Sequence, residues 1–299
     1  SVLICTLISL DMYVQLGSNN EPGFFHSLFK IIRWEMNIVT TYNKVILAGI
    51  VADDPEYLAN SVFGEALRVQ LLINRRDIGK IEEIGFWITK DELLSRGLQE
   101  IHKDDYLVVT NGRIVTQNYE KTNTLVCPHC QNVTYDKVSA ERTDVVALNF
   151  DVMQGMDIQE SIGINKVFLM GNICTKLIDN PTKAVGMECV KYKIAVSRPY
   201  KNNDKKTDFP FIVSFNELAI AARKHFEVSD LVLVEGAIQE REVRQKHPMY
   251  CKLCKQDVTP ITEIDVIEII ASRVARVRLK NGQAGDMPDI EGLANDDLD

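Results

Sequence analysis

The chain predicts an all-β protein made of two tandem five-stranded Greek-key barrels, each with one short helix, followed by a disordered acidic tail. Three observations lead there. The sequence repeats itself at a nearly constant offset, and each copy is a series of short β-rich runs broken by one helix-forming segment. Hydrophobic residues make up 45% of the 299 residues against 25% charged, the balance of a chain with packed cores. The repeat is the most direct of the three. Asn43-Lys44-Val45-Ile46-Leu47-Ala48-Gly49 returns as Asn165-Lys166-Val167-Phe168-Leu169-Met170-Gly171, 122 residues later. The run from Leu107 to Ile114 returns from Leu231 to Ile238 at an offset of 124, and Cys127 and Cys130 return as Cys251 and Cys254 at the same 124. Such constancy over this span marks a duplicated domain.

In the first copy the β-rich runs are Lys44 to Val51, Leu67 to Ile73, Phe86 to Thr89, Tyr106 to Ile114 and Val145 to Phe150. A helix is expected near Asp91 to Leu98. In the second they are Val167 to Met170, Tyr192 to Val196, Phe211 to Phe215, Leu231 to Val234 and Ile264 to Ile270. Only Glu217 to His225, rich in Ala, Leu, Glu, Arg and Lys, reads as helix there. Three strands, a helix and two strands is the order of an oligonucleotide-binding (OB) barrel. Gly49 and Gly171 interrupt the first strand of each copy, where a small barrel needs a bulge or tight bend to close. The expected domains are residues 36–157 and 158–282, with the tail at 283–299.

Residues 1–35 stand apart and declare no function. A start read from upstream of Met36 explains them better than a secretory signal, which would place basic residues ahead of the apolar run from Ser1 to Leu10. Ten residues also fall short of the about 20 needed to cross a bilayer. The protein is expected to be soluble and cytoplasmic, with the nucleoid, and to have no membrane partner.

Seven cysteines are an odd number, and two CxxC pairs favour thiolate metal ligation in a reducing compartment over a disulfide framework. Tetrahedral zinc needs four ligands and each knuckle offers two. Because both knuckles sit between the fourth and fifth strands, a pseudo-twofold pairing of the barrels would unite Cys127, Cys130, Cys251 and Cys254 around one structural zinc. Separate sites completed by His129 and His247, a metal shared between chains, and redox disulfides remain alternatives.

The formal charge of −8 is uneven: six acids lie between Asp286 and Asp299 with no cation among them, which leaves −2 for the other 285 residues. Arg198 to Lys206 holds four cations against one anion, and Arg273, Arg276, Arg278 and Lys280 form a second cluster. Local fields of this kind set what binds. No phosphate-cradling glycine loop, HExxH or other catalytic constellation emerges, so an enzyme is not expected.

From Ile164-Asn165-Lys166-Val167, through Tyr192-Lys193-Ile194-Ala195-Val196-Ser197 and Phe209 to Phe215, to Leu231-Val232-Leu233-Val234-Glu235-Gly236, the second copy resembles bacterial and phage single-stranded DNA-binding proteins. The first is a more divergent copy. The resemblance implies a protein that coats unpaired DNA without reading sequence, in replication, recombination or repair, with cations on phosphates and aromatic faces under bases. It places the stacking aromatics at Tyr200, Phe209 and Phe215, with Arg198, Lys201, Lys205 and Lys206 around them. Phe211 shares a strand face with Phe209 and Phe215 by parity, although core is the leading reading for it. In the first copy Asp77 and Lys90 stand at two of these positions. Arg75, Arg76, Lys80, Phe86 and Trp87 remain as candidates, and of Phe86 and Trp87, on opposite faces, one should touch DNA and the other fill the barrel. Because the family places four barrels in a particle, a homodimer is implied. The tail resembles the acidic tail through which the family recruits genome-maintenance proteins, but lacks its Pro-Phe end. An alternative function is a replisome or replication-restart adaptor whose barrels bind partner proteins.

Overall fold

Strand β1 (Tyr42–Val51) is the seam of the molecule. The structure is a computed structural model that describes residues 41–76, 79–95, 100–154, 162–179, 187–198 and 206–278. In the first half β2 (Glu56–Ser61), β3 (Gly64–Arg75), β4 (Lys80–Thr89), the helix α1 (Lys90–Ser95), β5 (Tyr106–Val126) and β6 (Val133–Met153) follow β1. The second half runs β7 (Ile164–Ile173), β8 (Ile178–Asp179), β9 (Cys189–Ser197), β10 (Thr207–Asp208), β11 (Phe211–Phe215), α2 (Asn216–His225), β12 (Leu231–Lys246), β13 (Met249–Cys251), β14 (Gln256–Val258) and β15 (Ile261–Arg278).

Two closed rings result. In the first, β1 pairs with β3 and β5, β3 with β4, β5 with β6, and β4 with β6 in parallel. In the second, β7 pairs with β9 and β12, β9 with β11, β12 with β15, and β11 with β15 in parallel. These are the expected OB barrels, and closure removes the sheet edges that would invite aggregation. Alternate residues fill them: Val190, Tyr192, Ile194 and Val196 of β9 are buried while Lys191 and Lys193 between them are half-exposed. The glycines behave as read. A Cβ at Gly49 would lie 2.4 Å from the Leu72 carbonyl oxygen, and one at Gly171 2.5 Å from that of Ala195, so only glycine lets the first strand of each barrel cross to its second neighbour.

The barrels are joined through β1 and β7, antiparallel from Tyr42↔Met170 to Ala48↔Ile164. Val45 faces Val167, its own counterpart in the repeat, so the register is self-complementary, as in a twofold dimer written into one chain. Asn43 and Asn165 explain the shared Asn-Lys-Val start. The Asn43 amide donates to the Ile114 carbonyl at 2.8 Å and its oxygen accepts the Ile114 N–H at 2.8 Å. Asn165 does the same to Ile238, 124 residues on, at 2.8 and 2.9 Å. Each side chain continues the pairing two residues beyond the last backbone pair of its ladder, Val45↔Gly112 in the first barrel and Val167↔Gly236 in the second. Asn165→Ala should therefore cost about 2 kcal/mol by leaving two buried backbone groups unpaired, measured by urea unfolding; an unchanged midpoint would remove this role.

The expected strands were too short in one respect. Beyond the barrels, β5 and β6 stay paired to Val126↔Val133, and β12 and β15 to Lys246↔Ile261. Each barrel thus extends a long hairpin arm. The polar run Thr116 to Thr124 has no apolar alternation to announce a strand, and a ladder plus the neighbouring arm holds it instead. The boundary expected at Asp157/Ile158, residues 1–35 and the acidic tail lie outside the described residues.

Candidate nucleic-acid interface and metal centre

The outer face of β9 and β11 gathers cations and an aromatic. Lys191 and Lys193 point outward because the period of two sends Tyr192 and Ile194 inward, and the pairing Phe211↔Lys193 puts the ring beside them. Their ammonium nitrogens lie 4.0 and 4.4 Å from the Phe211 centroid, within cation–π range. Phe211 is half-exposed, so the leading reading of it as core does not hold. Lys191 and Lys193 were passed over as site residues, although their alternation with Tyr192 and Ile194 was a legible signal. Both are tethered. Lys191 pairs with Glu268, which also takes Arg241 Nε at 2.7 Å, and Lys193 reaches both oxygens of Glu141, on the first barrel's arm, at 2.7 and 2.9 Å.

The other expected contacts divide. Phe215 is half-buried and Phe209 is 38% exposed, with its N–H donated to Thr116 Oγ1 at 2.8 Å. Arg198 is corrected: it makes a two-pronged pair with buried Asp208, at 2.8 and 2.6 Å, and reaches the Thr116 carbonyl at 3.4 Å. Because Asp208 also accepts the Thr116 N–H at 2.7 Å, Arg198 serves the contact between the second barrel and the first arm. Lys206 is exposed. Tyr200, Lys201 and Lys205 lie outside the described residues.

In the first barrel Phe86 is corrected, being wholly buried in the main core. The expectation that its neighbour would face out fails as well. Trp87 is 5% exposed, with Arg68 and Arg142 guanidinium carbons 5.1 and 5.6 Å from its ring and its Nε1–H donated to Asp144 at 2.9 Å. Arg75 pairs with Glu82 at 3.4 Å, while Arg76 is exposed in the turn beyond β3. The registers also place Thr89, not Lys90, opposite Phe215 in the repeat, since Trp87 pairs with Val146 as Val213 pairs with Ile270. Of the second basic cluster, the Arg278 side chain and Lys280 lie outside the described residues, and the other two are engaged within the fold. Arg273 is buried, and Arg276 donates to the His225 carbonyl at 2.6 Å with Asp230 at 3.7 Å.

At the arm tips the two knuckles meet. Cys127, Cys130, Cys251 and Cys254 place their sulfurs within 4.8 Å of one another, with Cys127 to Cys254 at 3.8 Å and Cys130 to Cys251 at 3.6 Å. A tetrahedral ion with sulfur ligands at about 2.3 Å separates them by about 3.8 Å. The knuckles are built alike. Gln131 and Lys255, equivalent in the repeat, adopt φ of 59° and 56°, and their N–H groups donate to the Cys127 and Cys251 carbonyls at 3.0 and 2.9 Å. Backbone N–H groups of Cys254 and Leu253 hold the Cys251 thiol down to about 6, while burial beside the other thiols pushes Cys254 up to about 12. One thiolate, that of Cys251, forms readily, while the Cys254 thiol holds its proton until a cation draws it off, the setting of a metal site. His247 bonds Thr262 at 2.8 Å and His129 is exposed; neither is in the cluster.

Two closed OB barrels, fused along their first strands and bearing a cationic, aromatic strand face, define a tandem oligonucleotide-binding-fold protein. Residues 164–258 match the model of the Single-strand binding protein family, a stretch that runs from β7 to β14 and holds the residues that carry the resemblance. The single-stranded DNA binding protein from Thermus aquaticus, in its wild-type form and as a deletion variant, shares the fold at TM-scores of 0.52 and 0.51. Each match has 18% identity and covers 83% of this chain and 98% of the other. No curated protein matches the chain. Among the described residues no helix is long and apolar enough to cross a membrane.

Proposed function

We propose that this protein binds single-stranded DNA without sequence preference, through the outer face of β9 and β11, and shields it during replication, recombination or repair. The observation that carries the reading is the half-exposed Phe211 ring flanked by Lys191 and Lys193, a stacking surface beside phosphate-binding charge. Phe209, Phe215 and the basic loop of Tyr200, Lys201, Lys205 and Lys206 would extend it. The four cysteines hold one structural zinc, which clasps the two arms. A second copy of the chain completes a particle of four barrels, and the acidic tail recruits genome-maintenance proteins.

The test is anisotropy of a labelled oligo-dT. Phe211→Ala should weaken binding about 10- to 100-fold, since one stacked base contributes about 1–3 kcal/mol. Lys193→Ala should lower the salt slope by about one. Equal affinity for duplex and single strand would sink the reading.

A further inference from the structure

We propose that Glu240, on the second barrel's arm, is an internal anion that closes the strand face of the first barrel to nucleic acid, so that the chain binds single strands through the second barrel. The inference rests on the single-strand reading above. It begins from the repeat: Glu240 is the counterpart of Thr116 at the offset of 124. Each reaches from one arm to a backbone N–H of the other barrel. Thr116 Oγ1 accepts from Phe209 at 2.8 Å, and Glu240 Oε2 accepts from Gly85 at 3.0 Å. The Thr116 contact is neutral, and the carboxylate that the first arm does bring to the second barrel, Glu141, meets the Lys193 ammonium and leaves the Phe211 ring half-exposed. Glu240 instead holds both the Gly85 N–H and Arg68, 3.8 Å from its other oxygen, beside a Trp87 that is 5% exposed.

What Glu240 meets is a donor set suited to a nucleotide. Arg68 is the register counterpart of Lys191, its guanidinium lies over Trp87, and its buried Nη1 has no hydrogen-bond partner. A backbone N–H, a guanidinium and an indole ring are what a phosphate and a base require, and here the carboxylate takes the phosphate's place. The base's place is taken too, because Arg68 and Arg142 cover Trp87. Gly85 is the register counterpart of Phe211, since Gln70 pairs with Gly85 as Lys193 pairs with Phe211. A Cβ at Gly85 would lie 2.1 Å from Arg68 Nη2. No ring could stand there while Arg68 holds its position, so the two barrels differ in occupancy as well as in sequence.

The chain has two tryptophans, and Trp34→Phe leaves Trp87 as its sole indole reporter. In that background oligo-dT should bind by anisotropy while Trp87 emission stays unchanged at saturation. Glu240→Ala should render Trp87 quenchable by the oligonucleotide and raise affinity for a long strand about tenfold, one added stacked base. Glu240→Gln keeps an acceptor for the Gly85 N–H and thus guards against a folding failure; it should shift both readouts the same way. Quenching of Trp87 in the Glu240 parent, or a folded Glu240→Gln protein with parental affinity and a silent Trp87, overturns the inference and leaves the single-strand reading standing. An oligonucleotide that binds no variant and not the parent overturns both.

Discussion

Arg198→Ala is expected to destabilise the protein by roughly 3–5 kcal/mol, the cost of leaving a buried charge uncompensated, and to leave the salt dependence of DNA binding unchanged. Asp208 is 0% exposed. Its two oxygens take the Arg198 guanidinium at 2.8 and 2.6 Å, and one of them also holds the Thr116 N–H at 2.7 Å. Removing the guanidinium strands the carboxylate between the second barrel and the first arm. Urea unfolding of the single variant and of the Arg198→Ala/Asp208→Ala pair checks this. The pair should recover much of the loss, because it removes both charges together. Intact stability with a salt slope reduced by about one would instead return Arg198 to the DNA-contacting residues.

Removal of the metal should have an effect of similar size. One zinc per chain is expected by elemental analysis, and Cys251→Ser should abolish it. A ligand present at a thousand times its dissociation constant stabilises the folded state by about 4 kcal/mol, and each kcal/mol moves the midpoint of a domain this large by about 2–4 °C. Chelation should therefore lower the melting temperature by roughly 10 °C, with or without DNA. Zinc that survives the loss of one knuckle would overturn the shared site. The change should be largest at the arms, where Cys127, Cys251 and Val258 form a small cluster of their own, apart from the barrel cores.

Much of the molecule was legible in the residues because its signals are local. Alternation over Cys189 to Ser197 marks a barrel strand, helix formers mark Glu217 to His225, and the constant offset marks the duplication. The offset even paired the knuckles, since equivalent positions in two like barrels fall at equivalent places about a pseudo-twofold axis. The residues proposed to contact DNA were less legible. Phe86 was offered as a candidate and is core, Phe211 was read as core and is half-exposed, and Lys191 and Lys193 went unclaimed. A strand's parity says which residues share a face but not which face is inside, and that depends on which neighbours close the barrel.

By itself, then, the sequence determined the all-β class, the two copies, the single short helix in each and the equivalence of the two CxxC knuckles, all properties of periods, propensities and repeats along the chain. Only the tertiary structure decided that β1 and β7 pair with Val45 against Val167 and that the arms run on past Ile114 and Val234. It also decided that Arg198 answers Asp208 and that Glu240 rather than a ligand meets Gly85 and Arg68. These contacts join residues far apart in the chain, and their free energy depends on distance and burial in the folded molecule. Nothing in a local stretch of sequence encodes either.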